Sequence, residues 1–322
     1  MKMASKNPKI TGHTDSLEIY SNGLVLAFLS GFAVSISSLM TKLARDSTFL
    51  QITFLRTSLI CCSTLMIGIL SGNWSKFRDA ILESPIGTSG WLLVRSFSSF
   101  MAMTTAYSVY QRIPMGDASA IFGVTPVFTG ILGVVLLGEA WQRKHVYLTF
   151  LAWTGVALIY KPTFLSRIIP SHYRDNPKIG VHSDEEFYLG VAILVPLAAS
   201  LSFVLSRKLS KTIPPTSIVC ITSFGIMVYS CVAMAIIETV RLPPLADWKY
   251  LIPEVIAGLT SQTLFGKALQ LERAAPVTLM RNSSIFFSFV FQFILFGTIP
   301  SWVSVLGASL VIVSTAILGT LR

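Results

Sequence analysis

Charged residues are scarce in this chain. They make up 12% of the 322 residues, against 52% for hydrophobic residues, whereas a soluble domain carries about 25% charged residues. This scarcity and the long apolar runs exclude a soluble globular protein and predict an integral membrane protein. The net charge of +10 then indicates basic loops beside membrane helices. Because no soluble basic face is present, we expect no nucleic-acid partner.

Cysteine and histidine are also few, and neither type is placed for catalysis or metal binding. Cys61, Cys62, Cys220 and Cys231 lie in apolar segments without metal-ligand spacing, so we interpret them as small core residues. The histidines fall in tails or loops or, for His145, at the very start of a predicted span, and the chain has no H-E-x-x-H or G-x-S-x-G motif. We therefore expect no enzyme activity, no metal and no cofactor.

Ten apolar stretches are long enough to cross a bilayer as helices. About 20 residues suffice, because each residue rises about 1.5 Å and the hydrocarbon core is roughly 30 Å thick. These stretches predict an all-α membrane protein with ten transmembrane helices. The predicted spans are 21–41, 50–71, 88–110, 115–138, 144–161, 188–207, 216–238, 249–271, 274–297 and 301–321.

A polar stretch divides the ten spans into two sets of five. We predict an N-terminal cytosolic tail (1–20), a first repeat of five helices (21–161), a connecting loop (162–187) and a second repeat of five helices (188–322). Because each set has an odd number of helices, the two must enter the membrane in opposite senses. This predicts two inverted five-helix repeats, an architecture common in secondary transporters, whose substrate site lies between the halves.

The two sets resemble each other weakly in sequence. A shift of 159 positions places Gln111 on Gln270, and a shift of 166 positions places Lys42 on Lys208. The matching hydropathy of the two sets is therefore the stronger sign of duplication.

Basic residues indicate how the chain is oriented. Lysine and arginine are more frequent on the loops that share a side with the N-terminus than on the loops opposite. By the positive-inside rule, we expect both termini in the cytosol and the lipid bilayer around the helices.

Small residues recur along the last span, at Ser304, Ala308, Thr315 and Gly319. They favour close packing within the chain over a homodimer face, and the homodimer stays open as an alternative.

Four basic residues lie inside predicted spans: Arg56, Arg95, Lys267 and Arg281. A charge at the bilayer centre costs roughly 3 kcal/mol on insertion scales. One interpretation is snorkelling, in which a long side chain reaches the headgroups. For Lys267, about a turn from its helix end, snorkelling competes closely with a functional role. For the three arginines we favour an interior, water-lined position.

The balance of embedded bases and acids bears on the substrate, and besides the two acids in mid-span, Glu139 and Glu238 at helix ends are further candidates. Asp117 and Glu254 are the acids nearest in depth, and each could pair with one arginine. Two cations then remain for a ligand. Because guanidinium forks fit carboxylates and phosphates, the sequence predicts a small organic anion as substrate. Asp117 also leaves open the alternative that transport is coupled to a proton.

Polar and aromatic residues in the same spans extend the predicted binding site. They are Tyr107, Tyr110, Gln111 and Gln270, although a tyrosine at a span end is more often an interface anchor. Pro126 lies in mid-span, where it frees a backbone carbonyl and permits a kink. We interpret this kink as either a gate or a packing feature.

Three stretches of the chain resemble a known family: residues 93–139, 155–165 and 267–302. On these motifs the chain is similar to the EamA-type drug/metabolite transporter superfamily, and within it to solute carrier family 35, subgroup G. The family usually has lysine where this chain has Arg281. The matching residues are Arg95, Tyr110, Gln111, Asp117, Ala118, Pro126, Val127, Phe128, Glu139, Lys161, Pro162, Lys267, Ala268, Leu269, Gln270, Pro276 and Val277.

The resemblance implies two inverted EamA repeats, ten helices, cytosolic termini and alternating access. For this subgroup it suggests transport of a carboxylate such as citrate, and a location in the plasma membrane, the endoplasmic reticulum or another endomembrane. It also carries an alternative, a non-transporting adaptor linked to endoplasmic-reticulum calcium signalling that binds through residues 162–187 or the tails.

Our expectation is a secondary transporter of a small organic anion, either a carboxylate or a phosphorylated metabolite. Its cationic cavity would be formed by Arg56, Arg95, Lys267 and Arg281.

Overall fold

The computed structural model describes residues 22–70, 86–112, 115–139, 143–160, 191–237 and 242–297, with separate positions at 188 and between 302 and 317. Within these residues the regular elements are helices and no strand occurs. The prediction of an all-α protein is therefore confirmed. The helices are α1 (Gly23–Leu43), α2 (Phe49–Leu70), α3 (Ile86–Arg112), α4 (Met115–Phe122), α5 (Thr125–Leu137), α6 (Arg143–Tyr160), α7 (Leu194–Leu209), α8 (Pro215–Ile237), α9 (Trp248–Leu271), α10 (Ala274–Arg281) and α11 (Ser283–Phe296), and a short 3-10 turn (Leu245–Asp247) precedes α9.

The described helices follow the predicted spans up to residue 297, with one difference of form. The span predicted at 115–138 consists of two helices, α4 and α5, and the span at 274–297 consists of α10 and α11. The tail 1–20, the loop 162–187 and most of the last span lie outside the described residues. The ten-helix count and the repeat boundaries therefore stay predictions.

The helices are built to face lipid. Four stretches are long and apolar enough to cross a membrane, namely α1, α2, α8 and Ala274–Leu295. Large apolar side chains such as Phe97, Val135 and Ile236 are exposed on the outside of the bundle, where hydrocarbon rather than water is the favourable surrounding. The chain is a multi-pass integral membrane protein.

The helix packing contacts of one repeat have counterparts in the other repeat. Helix α1 packs along α9, and its counterpart α7 packs along α3. Helix α1 also packs on α10 and α11, as α7 packs on α5. Helices α2 and α8, which correspond to each other, pack directly together. Such paired contacts are expected of an architecture built from two repeats.

Two equivalent contacts on opposite faces reveal the inversion. We call the side where α1 begins the N-terminal face, and the side where α1 ends the opposite face. At the opposite face, Lys42 Nζ donates to the Tyr110 carbonyl near the end of α3, at 3.2 Å. At the N-terminal face, Arg207 Nη1 donates to the Leu269 carbonyl near the end of α9, at 2.5 Å. Leu269 follows Tyr110 by the shift of 159 positions, so equivalent carbonyls accept from basic side chains in the last turns of α1 and α7, once on each face.

Gln111 and Gln270 have matching roles beside these contacts. Gln111 Nε2 donates to the Ser47 carbonyl in the turn after α1, at 2.8 Å. Gln270 Nε2 donates to the Ser210 carbonyl in the turn after α7, at 3.2 Å. Each glutamine ties the end of one helix to the turn between two others, so the shift that aligned them reflects equivalent positions.

Pro126 accounts for the break between α4 and α5. Proline has no N–H to donate to the Phe122 carbonyl four positions earlier, and the Thr125 hydroxyl donates to that carbonyl instead. The Val127 N–H then bonds three positions back, at 3.0 Å. The Gly123 carbonyl is thereby left for a partner from another helix.

That partner is Asn282, which marks the equivalent break in the second repeat. Asn282 separates α10 from α11 and lies 159 positions after Gly123, and its side-chain amide donates to the Gly123 carbonyl at 2.9 Å. A buried carbonyl needs a hydrogen-bond partner inside a membrane. The Asn282 amide at the second break therefore supplies the hydrogen bond that the Gly123 carbonyl loses at the first break.

Helix α1 approaches the second break closely at Gly31. A Cβ at residue 31 would lie 2.4 Å from Ser283 Oγ and 2.7 Å from the Arg281 carbonyl oxygen. Beside it, the Ser35 hydroxyl donates to the Ser284 carbonyl at 2.9 Å. The missing side chain at Gly31 lets α1 lie directly on the backbone of the break.

Gly31→Ala is expected to destabilise the protein by about 1–3 kcal/mol, the usual cost of overpacking, because the obstructing carbonyl belongs to the backbone. The measurement is thermal unfolding of the detergent-purified protein. Gly90→Ala is the matched control, since Gly90 is also helical but has no atom within 4 Å of its added Cβ. Equal losses in the two variants would contradict the close approach at Gly31.

Candidate functional site

A cavity of about 250 Å³ lies between the two repeats. Helices α1–α5 of the first repeat and α7–α11 of the second contribute to its wall, and both helix breaks border it. The wall combines aromatic rings with many hydroxyl groups. Its polar lining residues are Ser37, Ser38, Arg56, Arg95, Ser99, Tyr107, Tyr110, Ser119, Thr125, Ser202, Ser206, Ser210, Thr222, Gln262, Thr278, Arg281, Asn282 and Ser284.

Arg56 is held by a buried carboxylate at the wall of this cavity. Its Nη1 donates to Glu254 Oε1 at 2.5 Å, to Ser37 Oγ at 3.1 Å and to the Tyr107 hydroxyl. The Tyr107 and Ser37 hydroxyls each donate to the same carboxylate oxygen, at 2.8 and 2.9 Å. Helices α1, α2, α3 and α9 thus meet at the fully buried Glu254, which neutralises Arg56.

The Arg56–Glu254 pair keeps unused hydrogen-bonding capacity. Glu254 Oε2 and Arg56 Nε are both buried without a partner. Gly258, one turn along α9 from Glu254, makes room for the guanidinium, since a Cβ there would lie 2.5 Å from Arg56 Nη2. All of the contacts between acid and base therefore run through one nitrogen and one oxygen.

Arg95 has no acid partner in the described part of the chain. Its Nε donates to Ser206 Oγ at 2.6 Å. Its Nη1 is buried and makes no hydrogen bond, and the residue is only 9% exposed. A buried cation with an unused donor is costly unless an anion or water satisfies it, so this side chain is suited to receive an anionic ligand.

Arg281 lies between two aromatic rings rather than beside an acid. Its guanidinium carbon is 5.1 Å from the centre of the Phe203 ring and 4.3 Å from the centre of the Phe265 ring. Such contacts stabilise a cation through the negative ring faces. Within the described residues, Arg281 forms no ion pair with an acid. The aromatic rings therefore leave the full charge of Arg281 at the cavity wall.

The described residues give the cavity an excess of two positive charges, because three arginines face it and Glu254 neutralises one of them. The shift between the repeats shows how this excess arises. The shift of 159 positions places Arg95 on Glu254, and the shift of 166 positions, which relates α2 to α8, places Arg56 on Thr222. The second repeat thus has an acid where the first has a base, and the position that would pair with Arg95 is a threonine.

The structure brings five of the predicted site residues together. Arg56, Arg95, Arg281, Tyr107 and Tyr110 line the same cavity. The contact at Tyr110 is loose, since its hydroxyl lies 3.4 Å from Ser119 Oγ.

The structure places the other predicted residues elsewhere. Gln111 and Gln270 form the contacts at the two faces, and the side chain of Lys267 is exposed outside the cavity wall. The side chain of Asp117 lies outside the described part of the chain. Pro126 produces the break between α4 and α5, and its gating role stays a prediction.

The sequence reasoning missed three groups of the site: Ser206, the two phenylalanines around Arg281, and Asn282. The only signal for Asn282 was its position, an amide in mid-span that the repeat shift places on Gly123.

An ion-pair network joins the repeats at the N-terminal face. Glu139 Oε1 accepts from Arg207 Nε at 3.1 Å. Glu139 Oε2 accepts from the Ala274 N–H at 3.2 Å, at the start of α10, where the helix dipole favours a negative charge. The carboxylate at the end of the first repeat's fourth span thus holds two helices of the second repeat.

A helical membrane protein built from two inverted repeats around a charged central cavity has the architecture of a secondary transporter. The model of the EamA-like transporter family matches residues 21–161 and 187–320, and this chain belongs to that family.

Membrane transporters are among its relatives. Solute carrier family 35 member G1 of Homo sapiens is 28% identical over 302 residues, which cover 91% of this chain and 77% of the relative. The pseudopaline exporter CntI of Pseudomonas aeruginosa (strain UCBPP-PA14) is 23% identical over 301 residues, covering 92% and 96%. A protein of known crystal structure superposes with a TM-score of 0.69 at 15% identity, covering 92% of this chain and 95% of its own, and this likeness concerns the fold alone.

Removing one member of the Arg56–Glu254 pair is expected to destabilise the protein more than removing both. Arg56→Met leaves a buried carboxylate unpaired, and Glu254→Gln leaves a buried guanidinium unpaired, each at a cost of about 3–5 kcal/mol. The double variant should recover part of the loss. Thermal unfolding of the four proteins gives the coupling energy.

Lys267→Met is the control for this cycle, because Lys267 is exposed outside the cavity, and it should lower stability far less than either single change. Strictly additive losses in the cycle would show that the two charges do not interact.

Proposed function

We propose that this protein is a secondary transporter of a small organic anion, either a carboxylate such as citrate or a phosphorylated metabolite. The observation that carries the proposal is the presence of Arg95 and Arg281 at a cavity shared by both repeats, without a carboxylate partner among the described residues. A negatively charged ligand would supply the counter-charge that Arg95 and Arg281 lack among the described residues.

The proposed contacts follow from the geometry of the donors. Arg95 offers its unused Nη1, and Arg281 offers a planar fork held between rings, a geometry that fits carboxylates and phosphates. Arg56, Tyr107 and Tyr110 provide further donors along the wall. The surrounding serine and threonine hydroxyls suit a ligand that carries several oxygen atoms.

Alternating access is the proposed mode of transport. The first repeat (21–161) and the second repeat (188–322) would rock about the cavity, which lies beside both helix breaks. The Glu139–Arg207 network would have to separate for the N-terminal face to open. Pro126 would serve this motion, because the break that it causes lets α4 and α5 move separately.

We place both termini in the cytosol, so that the N-terminal face is the cytosolic one. The membrane would be the plasma membrane, the endoplasmic reticulum or another endomembrane.

A coupled proton is the finer part of the proposal. Glu254 holds Arg56 through one oxygen only. An anion that binds Arg56 competes with Glu254 for the guanidinium, and a carboxylate that loses its counter-charge in a buried site favours the protonated form. Binding of the anion would therefore be linked to uptake of a proton at Glu254.

Arg95→Gln and Arg281→Gln are each expected to weaken anion binding by about ten- to a hundred-fold, because a hydrogen bond to a charged group contributes about 1.5–3 kcal/mol. The measurements are ligand-induced thermal shifts of the purified protein across carboxylates and sugar phosphates, followed by flux of the best ligand into liposomes. Lys267→Gln is the matched control and should bind normally. Undiminished flux in the Arg95→Gln, Arg281→Gln double variant would refute the proposal.

Glu254→Gln is expected to uncouple the proton from the anion. A glutamine cannot be ionised, so liposomes with this variant should still exchange labelled anion for unlabelled anion but should no longer accumulate it in response to a pH gradient. An entrapped pH dye measures the accompanying proton flux. Accumulation in the variant equal to that of the unaltered protein would exclude Glu254 as the proton site.

A further inference from the structure

The charged groups of the cavity lie at two different depths in the membrane. Helix α9 ends at the N-terminal face, and Phe265, which contacts Arg281, is six positions before its last residue. Glu254, which holds Arg56, is six positions after the first residue of the same helix. Because an α-helix rises about 1.5 Å per residue, the eleven positions from Glu254 to Phe265 correspond to about 16 Å. Arg281 and the Arg56–Glu254 pair therefore lie toward opposite ends of the cavity.

Arg95 lies at the same end of the cavity as Arg281. Its hydrogen-bond partner Ser206 is three positions before the last residue of α7, which ends at the N-terminal face. Phe203, the second ring beside Arg281, is three positions before Ser206 on the same helix. Side chains three positions apart on a helix are neighbours. One turn of α7 therefore contacts both arginines.

Helix α3 gives a similar separation between the two ends of the cavity. It carries Arg95 and also Tyr107, whose hydroxyl donates to Glu254 at 2.8 Å. The twelve positions from Arg95 to Tyr107 correspond to about 18 Å. The wall between the two ends includes the apolar residues Ala102, Met103, Ala106, Val219 and Ile226.

We propose that Arg95 and Arg281 form a subsite for a compact dianionic head group, either a phosphate monoester or two carboxylates on one carbon, and that the remainder of the substrate is uncharged. The head group lies toward the N-terminal face, and the uncharged remainder extends past the apolar wall to the hydroxyls of Ser37 and Tyr107. The subsite gives the proposed transporter its substrate class, so it rests on the proposed function.

The balance of charge supports a dianion with both charges at one end. Two cations face this end of the cavity, and no acid in the described part of the chain pairs with either. Arg95 Nη1 is buried without a hydrogen-bond partner, and the Arg281 guanidinium is a planar fork suited to paired oxygens. At the other end, Glu254 already neutralises Arg56. A second anionic group placed there would have to displace that carboxylate.

The head-group subsite and the proposed proton site are consequently separate positions along the cavity. A head group bound by Arg95 and Arg281 lies about 16 Å from the level of the Arg56–Glu254 pair. It competes with Glu254 for Arg56 only after it has moved toward the opposite face. For a substrate that enters from the N-terminal face, binding of the anion therefore precedes uptake of the proton.

The test compares two isomeric dianions, pentylmalonate and suberate, by titration calorimetry with the purified protein at an alkaline pH that ionises both fully. The two share one molecular formula and one charge. Pentylmalonate carries both carboxylates on one carbon, whereas suberate carries one at each end of its chain. Pentylmalonate should bind about tenfold or more tightly than suberate, because it alone presents two negative charges to Arg95 and Arg281 together.

Pentyl phosphate distinguishes the two sources of the head group. Whichever of pentyl phosphate and pentylmalonate binds more tightly identifies the head group as a phosphate or as paired carboxylates. Methyl pentyl phosphate, a diester with a single negative charge, should bind about tenfold or more weakly than pentyl phosphate. A diester that binds as tightly as the monoester would overturn the requirement for a dianion.

Arg95→Gln and Arg281→Gln should each remove most of the preference for pentylmalonate over suberate, because each deletes one of the two cations at the head-group end. Lys267→Gln is the matched control and should keep the preference, since Lys267 is exposed outside the cavity wall. A preference that persists in both arginine variants would come from the alkyl chain and would overturn the subsite. The comparison of the isomers in the unaltered protein needs no variant to fold.

Two failures are distinguishable. Suberate that binds as tightly as pentylmalonate would overturn the head-group subsite, and loss of both ligands in Arg95→Gln would then leave the proposed anion transporter standing. Absence of binding by all of these anions and by citrate would overturn the subsite and count against the proposed function itself.

Discussion

A guanidinium inside the hydrocarbon region of a bilayer is costly, by roughly 3 kcal/mol on insertion scales and more by other estimates. This protein directs three of them at one cavity between its halves. Glu254 neutralises Arg56, whereas Arg95 and Arg281 depend on a serine hydroxyl and on two aromatic rings. Hydroxyl groups and aromatic rings offset only part of the cost of such a buried charge. The cavity is therefore most stable when it contains an anion. The proposed choice of substrate, the linkage to a proton and the net charge of the site all follow from that imbalance.

The scaffold around the cavity is nearly symmetric, and the charge inside it is not. Both repeats end their third helix with the same backbone contact and the same glutamine, and both break their fourth span at equivalent positions. Against this repetition, Arg95 stands where the second repeat has Glu254. In the proposed mechanism, the symmetry of the scaffold permits two related end states, and the asymmetry of charge selects an anionic ligand. The two properties come from different residues, so mutation can separate them.

Much of the fold was predictable because membrane thickness sets the length of a span and an odd number of helices forces inversion. The three arginines were also predictable, since a charge in mid-span has few stable places to lie. The lateral neighbours were not predictable: Phe203 and Phe265 reach Arg281 from other helices, and Asn282 reaches Gly123 across 159 positions. Lys267 illustrates the same limit, because a residue at the depth of a cavity faces it only if the rotation of its helix allows. That rotation is decided by packing, which spacing along the sequence does not report.

The most direct test is a charge series of one ligand shape, measured by titration calorimetry with the purified protein. Citrate, its partial amides and its neutral triamide have similar size and oxygen content but carry fewer negative charges in turn. If the uncompensated arginines govern recognition, affinity should fall by about tenfold or more for each of the first two charges removed. The loss of affinity for each charge removed should be smaller when Arg95 is replaced by glutamine. A neutral triamide that binds as tightly as citrate would contradict the dependence on those two cations.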